Sequence, residues 1–237
     1  MITGSIRLFV DAALSEEGVE IAATPAQAHY LGNVMRRASG DVLRLFNGRD
    51  GEWRARIGAI RKDRASFVLE ARLRPQAPEA DIWLVFAPLK RDAIDMLAQK
   101  ATELGAAALL PVLTERTNSE RVNLARLTAI AIEAAEQCER LTVPVIHPPR
   151  RLFDLLADWP ADRRLIAAIE RADAPPPPRL AGPAALLIGP EGGFSPAELD
   201  VLARHPLVTP ASLGHLVLRA ETAAIVGLAL LQAPGCG

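Results

Sequence analysis

The sequence is poor in cysteine and has no histidine pattern typical of a metal site. Its 237 residues include two cysteines, Cys138 and Cys236. The four histidines share no ligand spacing: His29, His147, His205 and His215. Clustered cysteine and histidine ligands mark zinc sites, and closely spaced cysteines mark disulfide-rich secreted domains. We therefore expect no bound metal and a reducing, cytoplasmic location.

Long apolar runs are also absent. The most apolar stretch, residues 223–231, is much shorter than the about 20 residues of a membrane-spanning helix. The first ten residues lack the charged and then apolar pattern of a signal peptide. Apolar residues form 50% and charged residues 23% of the chain, which excludes disordered and fibrous classes. We expect a soluble globular protein that does not associate with membranes.

The net charge of −1 conceals an uneven distribution. Residues 1–75 carry 12 basic and 9 acidic side chains, whereas the rest of the chain carries 15 and 19. Within residues 36–64 the ratio is nine to four. A basic region in a neutral protein suits a polyanion such as RNA, although a solvated arginine-rich face explains the same count.

The first 74 residues show a pattern of short strands. Apolar and charged residues alternate over 41–46 and 52–57, on either side of a turn with Asn47-Gly48 and Asp50-Gly51. Such dipeptides favour tight hairpin turns. Further strands are predicted at 6–10, 65–69 and 71–73, and a helix at 28–37. This spacing predicts a small β-barrel, a shape that often presents a nucleic-acid-binding face.

A linker with two prolines at residues 75–80 precedes a region in which strands and helices alternate. Apolar strands are predicted at 82–87, 108–114, 143–146, 164–169, 184–188 and 207–213. Helices are predicted at 91–104, 123–141, 197–205 and 221–232. Apolar strands separated by helices are typical of a parallel sheet covered on both faces. The sequence predicts a barrel domain over 1–74 and an α/β domain over 80–237.

Two glycine-containing loops follow strands of the predicted α/β domain. The first is Gly189-Pro-Glu-Gly-Gly-Phe194, and Ser195-Pro-Ala-Glu198 after it is a capping box that begins a helix. The second contains Gly214 and leads into the last helix. Because ligands gather at the carboxyl ends of parallel strands, the two loops predict one binding crevice. The alternative for each loop is a turn that only reverses the chain, and neither has the spacing of a P-loop or a dinucleotide-binding motif.

The first loop together with Leu218-Arg-Ala-Glu-Thr-Ala223 resembles the bacterial 16S rRNA uracil-N3 methyltransferase family, which belongs to the trefoil-knot (SPOUT) methyltransferase superfamily. The resemblance covers nearly the whole chain and includes Arg7-Leu-Phe9, His29-Tyr-Leu31, Val34-Met-Arg36, Gly40-Asp41, Gln99-Lys100, Glu103-Leu-Gly105 and Glu133-Ala-Ala-Glu-Gln137. In this family a PUA-like RNA-binding barrel precedes a knotted α/β domain. The chain departs from the family motif at Leu216, which replaces an arginine, and at His215 and Ala220.

The resemblance implies methyl transfer from S-adenosylmethionine to uracil N3 in 16S rRNA of the small ribosomal subunit. It also implies that the methyl donor binds mainly through backbone groups of the two loops. The implied donor-binding residues are Leu187, Ile188, Gly189, Pro190, Glu191, Gly192, Gly193, Leu213, Gly214 and Leu218.

Three charged residues are candidates for catalysis. Arg219 suits the negative charge that develops on uracil when N3 loses its proton, and Glu221 suits the general base. A structural ion pair between the two explains the same residues. Arg140 is the third candidate, although Glu136 lies four residues earlier, which is the spacing of an ordinary helix ion pair.

The basic region supplies the predicted RNA contacts: Arg7, Arg36, Arg37 and Arg54. The last helix is apolar nearly all round over residues 223–231 and contains Gly227, which permits close approach of a second helix, so it predicts a homodimer.

Two other functions stay open. One is a ribose 2′-O-methyltransferase of the same fold that acts on rRNA or tRNA. The other is a non-catalytic RNA-binding or ribosome-assembly factor.

Overall fold

A computed structural model describes residues 6–117, 121–169, 174–178 and 182–232. The chain divides into two compact units. One comprises Met1–Pro78 and Ala135–Val143, and the other comprises Glu79–Ala134 and Pro144–Gly237. The segment Ala135–Val143 interrupts the predicted domain over residues 80–237, because its contacts are with the N-terminal unit. Cys236 lies outside the described residues, and Cys138 is an exposed free thiol.

The N-terminal unit contains a five-stranded sheet in the order β1-β3-β4-β5-β2. The strands are β1 (Arg7–Phe9), β2 (Glu20–Ala22), β3 (Val42–Phe46), β4 (Glu52–Arg61) and β5 (Arg64–Arg74). The predicted hairpin is confirmed, since β3 and β4 pair antiparallel with Leu43 opposite Ala55. The two strands predicted at 65–69 and 71–73 are one strand, β5, whose pairing with β4 contains bulges. Strand β2 was not predicted.

The predicted helix at 28–37 forms differently. Helix α1 (Pro25–His29) begins earlier, at a capping box in which Thr24 accepts a hydrogen bond from the Gln27 amide. The chain then continues as a π-helical turn, Tyr30–Val34. The π-helical geometry is shown by a 2.9 Å hydrogen bond from the Met35 amide to the Tyr30 carbonyl, because these two residues are five positions apart.

The C-terminal unit confirms the predicted α/β fold with a parallel sheet. Its sheet has the order β12-β10-β11-β6-β7-β8, and β9 pairs with β7. The strands are β6 (Ile82–Phe86), β7 (Ala108–Leu113), β8 (Val145–Ile146), β9 (Arg150–Arg151), β10 (Arg164–Ala168), β11 (Ala184–Ile188) and β12 (Val208–Ala211). The helices are α2 (Arg91–Glu103), α3 (Leu124–Gln137), α4 (Leu152–Ala157), α5 (Pro196–Arg204) and α6 (Ala220–Gln232).

Both faces of this sheet are buried. In β11, Leu186 packs in a cluster with Leu97 of α2 and Leu228 of α6. The next residue, Leu187, packs in a second cluster with Leu202 of α5. Side chains alternate between the faces of a strand, so these two clusters are the two helix layers. Gly227 of α6 faces Leu186, and a Cβ there would lie 2.5 Å from the Leu186 Cδ2 atom.

Some boundaries in this unit differ from the predictions. Helix α3 ends at Gln137 and not at residue 141, and the short elements β9 and α4 were not predicted. Within the described ranges, no helix is both long and apolar enough to cross a membrane.

Candidate functional site

One pocket of the C-terminal unit lies where three neighbouring parallel strands end. The loops after β10, β11 and β12 line a cavity of about 400 Å³. That volume lies within the range of about 300–1,000 Å³ typical of small-molecule sites. Eight predicted donor-binding residues line it: Ile188, Gly189, Pro190, Glu191, Gly193, Leu213, Gly214 and Leu218. The other two do not, because Leu187 points into the core and Gly192 is on the outer side of its loop.

The first glycine loop is a tight turn held against a buried aromatic ring. The Gly193 amide donates a 2.8 Å hydrogen bond to the Pro190 carbonyl, and Gly193 has a φ of 67°, which favours glycine. A Cβ on Gly189 would lie 2.9 Å from the Phe194 ring, so only glycine fits there without a shift. Phe194 is buried and lines the pocket.

The helix after this loop begins at the predicted capping box, which is confirmed. Ser195 accepts a hydrogen bond from the Glu198 amide, and Glu198 accepts one of 2.8 Å from the Ser195 amide. The second carboxylate oxygen of Glu198, which is 1% exposed, accepts a 2.9 Å bond from the Glu115 amide. Glu198 thereby ties the loop after β7 to the start of α5.

Arg116 belongs to that same loop after β7 and was missed in the sequence. Its Nη1 atom donates a 2.8 Å hydrogen bond to the Gly192 carbonyl. Its Cβ and Cδ atoms lie 3.5 Å from the position that a Cβ on Gly192 would take. Arg116 therefore covers the outer side of the first glycine loop. No local pattern marks it, because its partner is 76 residues away.

The second loop has a glycine-dependent shape and an apolar surface. Gly214 has a φ of 121°, and its amide and carbonyl both hydrogen-bond the Ser212 hydroxyl at 3.3 Å. Leu216 and Val217 line the pocket and are 68% and 57% exposed. Further lining residues that were not predicted are Ala168, Ile169, Phe194, Leu199, Ser212, Ala220 and Ala223.

The charged residues that line the pocket are Glu191 and Arg219. Glu221 lies two residues further, in the first turn of α6. Among the described residues, Arg219 and Glu221 make no ion pair with each other. Apart from Ser212, the rest of the lining is apolar residues and glycine, which suits a ligand that is bound through loop amides and carbonyls.

Two predicted site residues, Arg7 and Arg140, belong to the N-terminal unit. Arg140 donates a 3.1 Å hydrogen bond to the Thr142 hydroxyl. Arg7 is 5% exposed and donates to Glu52 at 2.5 Å and to the carbonyls of Ala135 and Arg140, both at 2.7 Å. Burial lowers the pKa of the Arg7 guanidinium, and the Glu52 carboxylate opposes that change.

The burial of Arg7 corrects its predicted RNA contact. Its guanidinium lies over the Phe46 ring, 4.2 Å from the ring centroid. It also donates hydrogen bonds to carbonyl groups at the end of α3, which have no N–H partner within the helix. It therefore stabilises protein groups and is not presented to RNA. The partner segment is 128 residues away in sequence, so no local pattern indicates it.

The other predicted RNA contacts differ in their surroundings. Arg36 is exposed and Arg37 is half-buried, and neither has an ion pair among the described residues. Arg54 lies 3.0 Å from Glu70, which Arg56 also contacts at 3.3 Å, so its charge is partly neutralised.

In the part of the chain that the structure describes, no group of three acidic, histidine or cysteine side chains is placed to hold a metal ion.

Comparison with known proteins agrees with this architecture. Residues 75–232 match the family described as RNA methyltransferase domain, and residues 23–70 match the RNA methyltransferase PUA domain. The chain is 34% identical over 243 residues to ribosomal RNA small subunit methyltransferase E of Rickettsia conorii, with 97% of this chain and 96% of the relative covered.

Two solved structures with a bound methyl donor are similar to this chain. Ribosomal RNA small subunit methyltransferase E from Neisseria gonorrhoeae, bound to S-adenosyl methionine, is 28% identical, has a TM-score of 0.86 and covers 96% of this chain and 97% of its own. A Legionella pneumophila protein in complex with the cofactor SAM is 31% identical, has a TM-score of 0.88 and covers 97% of each chain.

Proposed function

This chain belongs to the family of ribosomal RNA small subunit methyltransferase E, and we propose that it methylates N3 of a uracil in 16S rRNA, with S-adenosylmethionine as donor. The observation that carries the proposal is the pocket between the two glycine loops. It coincides with the residues that resemble the family's donor site. The match of residues 23–70 to an RNA methyltransferase PUA domain supports an RNA-binding role for the N-terminal unit.

The pocket fits the donor in size and chemistry. S-adenosylmethionine carries an electrophilic methyl group on a positively charged sulfur. Apolar residues such as Leu213 and Leu218 suit its adenine ring, and loop amides and carbonyls at Gly189 and Gly214 suit its polar edges. Glu191, the acidic residue of the lining, suits its positive groups.

Arg219 and Glu221 are the proposed catalytic residues. The Glu221 carboxylate would accept the proton from uracil N3. When bound, S-adenosylmethionine would supply the methyl group to the N3 lone pair, and S-adenosylhomocysteine would leave as the carbon–sulfur bond breaks. Arg219 stabilises the negative charge on the deprotonated base, because a guanidinium offers several N–H donors. The absence of an ion pair between them, among the described residues, leaves both side chains available for these roles. Arg140 stays a third proposed catalytic residue.

We assign Arg116 the role of a positioning residue for the first glycine loop, which is the proposed donor loop. Its hydrogen bond to the Gly192 carbonyl fixes the loop from outside, while Glu198 fixes the loop that carries Arg116. Preorganised binding loops raise affinity because less conformational freedom is lost when the ligand binds.

RNA docking is proposed for the N-terminal unit, with Arg36 and Arg37 as phosphate contacts. Arg54 is the weaker candidate, since Glu70 lies beside it. We place the protein in the cytoplasm, where its ribosomal substrate is assembled.

A homodimer is also proposed. Helix α6 leaves Leu230 40% exposed, and Met96 of α2 is 45% exposed. Gly227 does not supply the predicted contact between copies, because it packs on Leu186 of its own chain. Sedimentation equilibrium should give twice the monomer mass of 25.4 kDa, and the monomer mass would contradict the proposal.

The activity is tested by methyl transfer from tritiated S-adenosylmethionine to small ribosomal subunits that lack the modification. The wild-type protein should label 16S rRNA, and Arg219→Ala and Glu221→Gln should each lower the rate by at least about 100-fold. Calorimetry with S-adenosylmethionine separates the steps. Donor binding without label transfer would indicate the non-catalytic alternative.

A further inference from the structure

Two segments of the N-terminal unit meet and leave a cluster of basic and apolar side chains on the surface. One is the π-helical turn with the residues that follow it, and the other is the tip of the hairpin between β4 and β5. We refer to this cluster as the tip patch, and it comprises Tyr30, Val34, Arg36, Arg37, Arg61, Lys62 and Arg64.

The two segments are held together by specific contacts. Gly32 lies against Ile60, with 3.5 Å between the position of its missing Cβ and the Ile60 Cδ1 atom. The Ser39 hydroxyl donates a 2.6 Å hydrogen bond to the Gly58 carbonyl, and the Gly40 amide donates a 2.8 Å bond to the Ile57 carbonyl. The turn is therefore fixed beside the end of β4, from which the hairpin tip projects.

The cations of the tip patch differ from most of the other arginines of the sheet in their ion pairing. Within the described residues, none of its five basic side chains makes an ion pair, whereas four other arginines of the sheet do. The paired residues are Arg44 with Glu139, Arg54 and Arg56 with Glu70, and Arg74 with Glu52. The Nε atom of Arg37 is buried without a hydrogen-bond partner. The tip patch therefore holds five cations that lack an ion pair among the described residues, with Asp63 as the acidic residue of the hairpin connection.

Two of these cations occupy backbone positions that favour glycine. Arg36 has a φ of 51° and directly follows Met35, the C-cap of the turn, at the position where helices commonly end in glycine. Lys62 has a φ of 23° in the two-residue connection between Arg61 and Arg64. A side chain held at a strained position points to a role that glycine cannot fill.

The patch also exposes an aromatic and an aliphatic side chain beside the cations. Tyr30 is 40% exposed and Val34 is 59% exposed, at the two ends of the π-helical turn. Unpaired bases stack on exposed aromatic rings, and arginines beside the ring hold the phosphates of the same strand.

We propose that the tip patch binds a single-stranded segment of the substrate RNA, with Tyr30 stacking on a base and the five cations contacting phosphates. The proposal rests on the proposed function and names the surface through which the substrate docks. It places docking at the tip and not on the sheet face around Arg54, where glutamates neutralise the arginines.

The test compares glycine variants at the two strained positions with a paired control. Arg36→Gly and Lys62→Gly remove a cation and relieve the backbone, so the protein should unfold at or above the wild-type temperature. Each should weaken binding of a 16S rRNA transcript about three- to fourfold at 0.15 M salt and reduce the salt slope by about 0.7. Arg56→Ala removes a cation that faces Glu70 and should change the slope less.

The stacking contact is tested separately. Tyr30→Ala should weaken binding by about fivefold or more, and Tyr30→Phe should restore it, because both rings stack. Glycine variants that bind RNA like the wild type, or an Arg56→Ala variant that weakens binding as much, would overturn the proposal. Methyl transfer by the wild type is measured in parallel. Its absence would refute the proposed function, whereas the tip patch is judged on the binding data alone.

Discussion

Gly189 offers the sharpest test of the donor pocket, because one added methyl group there meets a residue of the pocket wall. In Gly189→Ala the new Cβ would lie 2.9 Å from the Phe194 Cε2 atom and 3.0 Å from its Cζ atom. Carbon atoms prefer separations of about 3.5–4.0 Å, so the ring has to move by roughly 0.6 Å or more. Phe194 is 8% exposed and packs against Leu202, so it has little room on the core side.

The cost of this change follows from overpacking. Extra methyl groups in packed sites cost about 1–3 kcal/mol, and about 1.4 kcal/mol corresponds to a tenfold change in affinity. Because Phe194 lines the pocket, we expect Gly189→Ala to weaken S-adenosylmethionine binding about tenfold in calorimetry. Any part of the cost that falls on the free protein should lower its unfolding temperature by about 2–4 °C per kcal/mol.

A matched substitution in the same loop controls for the loss of a glycine. A Cβ on Gly192 would lie 3.5 Å from the nearest Arg116 atoms, which is ordinary van der Waals contact. Gly192→Ala should therefore reduce affinity much less than Gly189→Ala. The reasoning is refuted if Gly189→Ala binds the donor and unfolds like the wild type, or if the two variants lose affinity equally.

Three further substitutions test other parts of the account. Gly227→Ala, whose Cβ would lie 2.5 Å from a Leu186 methyl group, should lower stability by about 1–3 kcal/mol in urea unfolding, and an unchanged midpoint would contradict the close packing of α6. Arg116→Ala should weaken donor binding several-fold, with partial recovery in Arg116→Lys, whereas equal affinity in all three proteins would exclude a positioning role. The hydrogen bond from Arg44 lowers the pKa of Glu139 below its ordinary 4.5, so its contribution is present above that pH and lost as the pH falls through the lowered value. Glu139→Gln should thus be less stable than wild type by at most about 1 kcal/mol at pH 7, and the difference should shrink as the pH falls below 4.5; a difference that does not change with pH would refute the assignment.

The features that were predictable from the sequence are those encoded locally. The capping box at Ser195 depends on residues three positions apart, and the confirmed hairpin depends on alternation around one turn. The parallel sheet followed from uniformly apolar strands, because both faces are covered. The two glycine loops could be paired as one crevice since the carboxyl ends of parallel strands meet at one edge.

The features that escaped prediction depend on contacts between distant residues. Arg7 looked like a surface cation of a basic region, but its partners include the carbonyl of Ala135, 128 residues away. Helix α3 ends at Gln137 with its last carbonyls bound by Arg7, so helical propensity alone placed its end too late. Arg116 reaches Gly192 across 76 residues. Charge and periodicity report on neighbours along the chain and carry no information on such pairs.

The pocket and the tip patch divide the proposed reaction between the two units. The C-terminal unit holds the proposed donor site with Arg219 and Glu221, and the N-terminal unit holds the tip patch, whose cations make no ion pair among the described residues. Leu216 lies at the pocket and is 68% exposed, where the family usually has an arginine. Leucine at this position removes a cation that could contact RNA beside the pocket. RNA binding that depends on the tip patch is consistent with that loss.

The central claim, methylation of uracil at N3, is tested most directly by the identity of the product nucleoside. Small ribosomal subunits lacking the modification are incubated with the protein and S-adenosylmethionine, and the 16S rRNA is digested and separated by mass spectrometry. We predict one new nucleoside, 3-methyluridine, which is absent when the donor is omitted. A methyl group on the ribose, or no methylated nucleoside at all, would contradict the account.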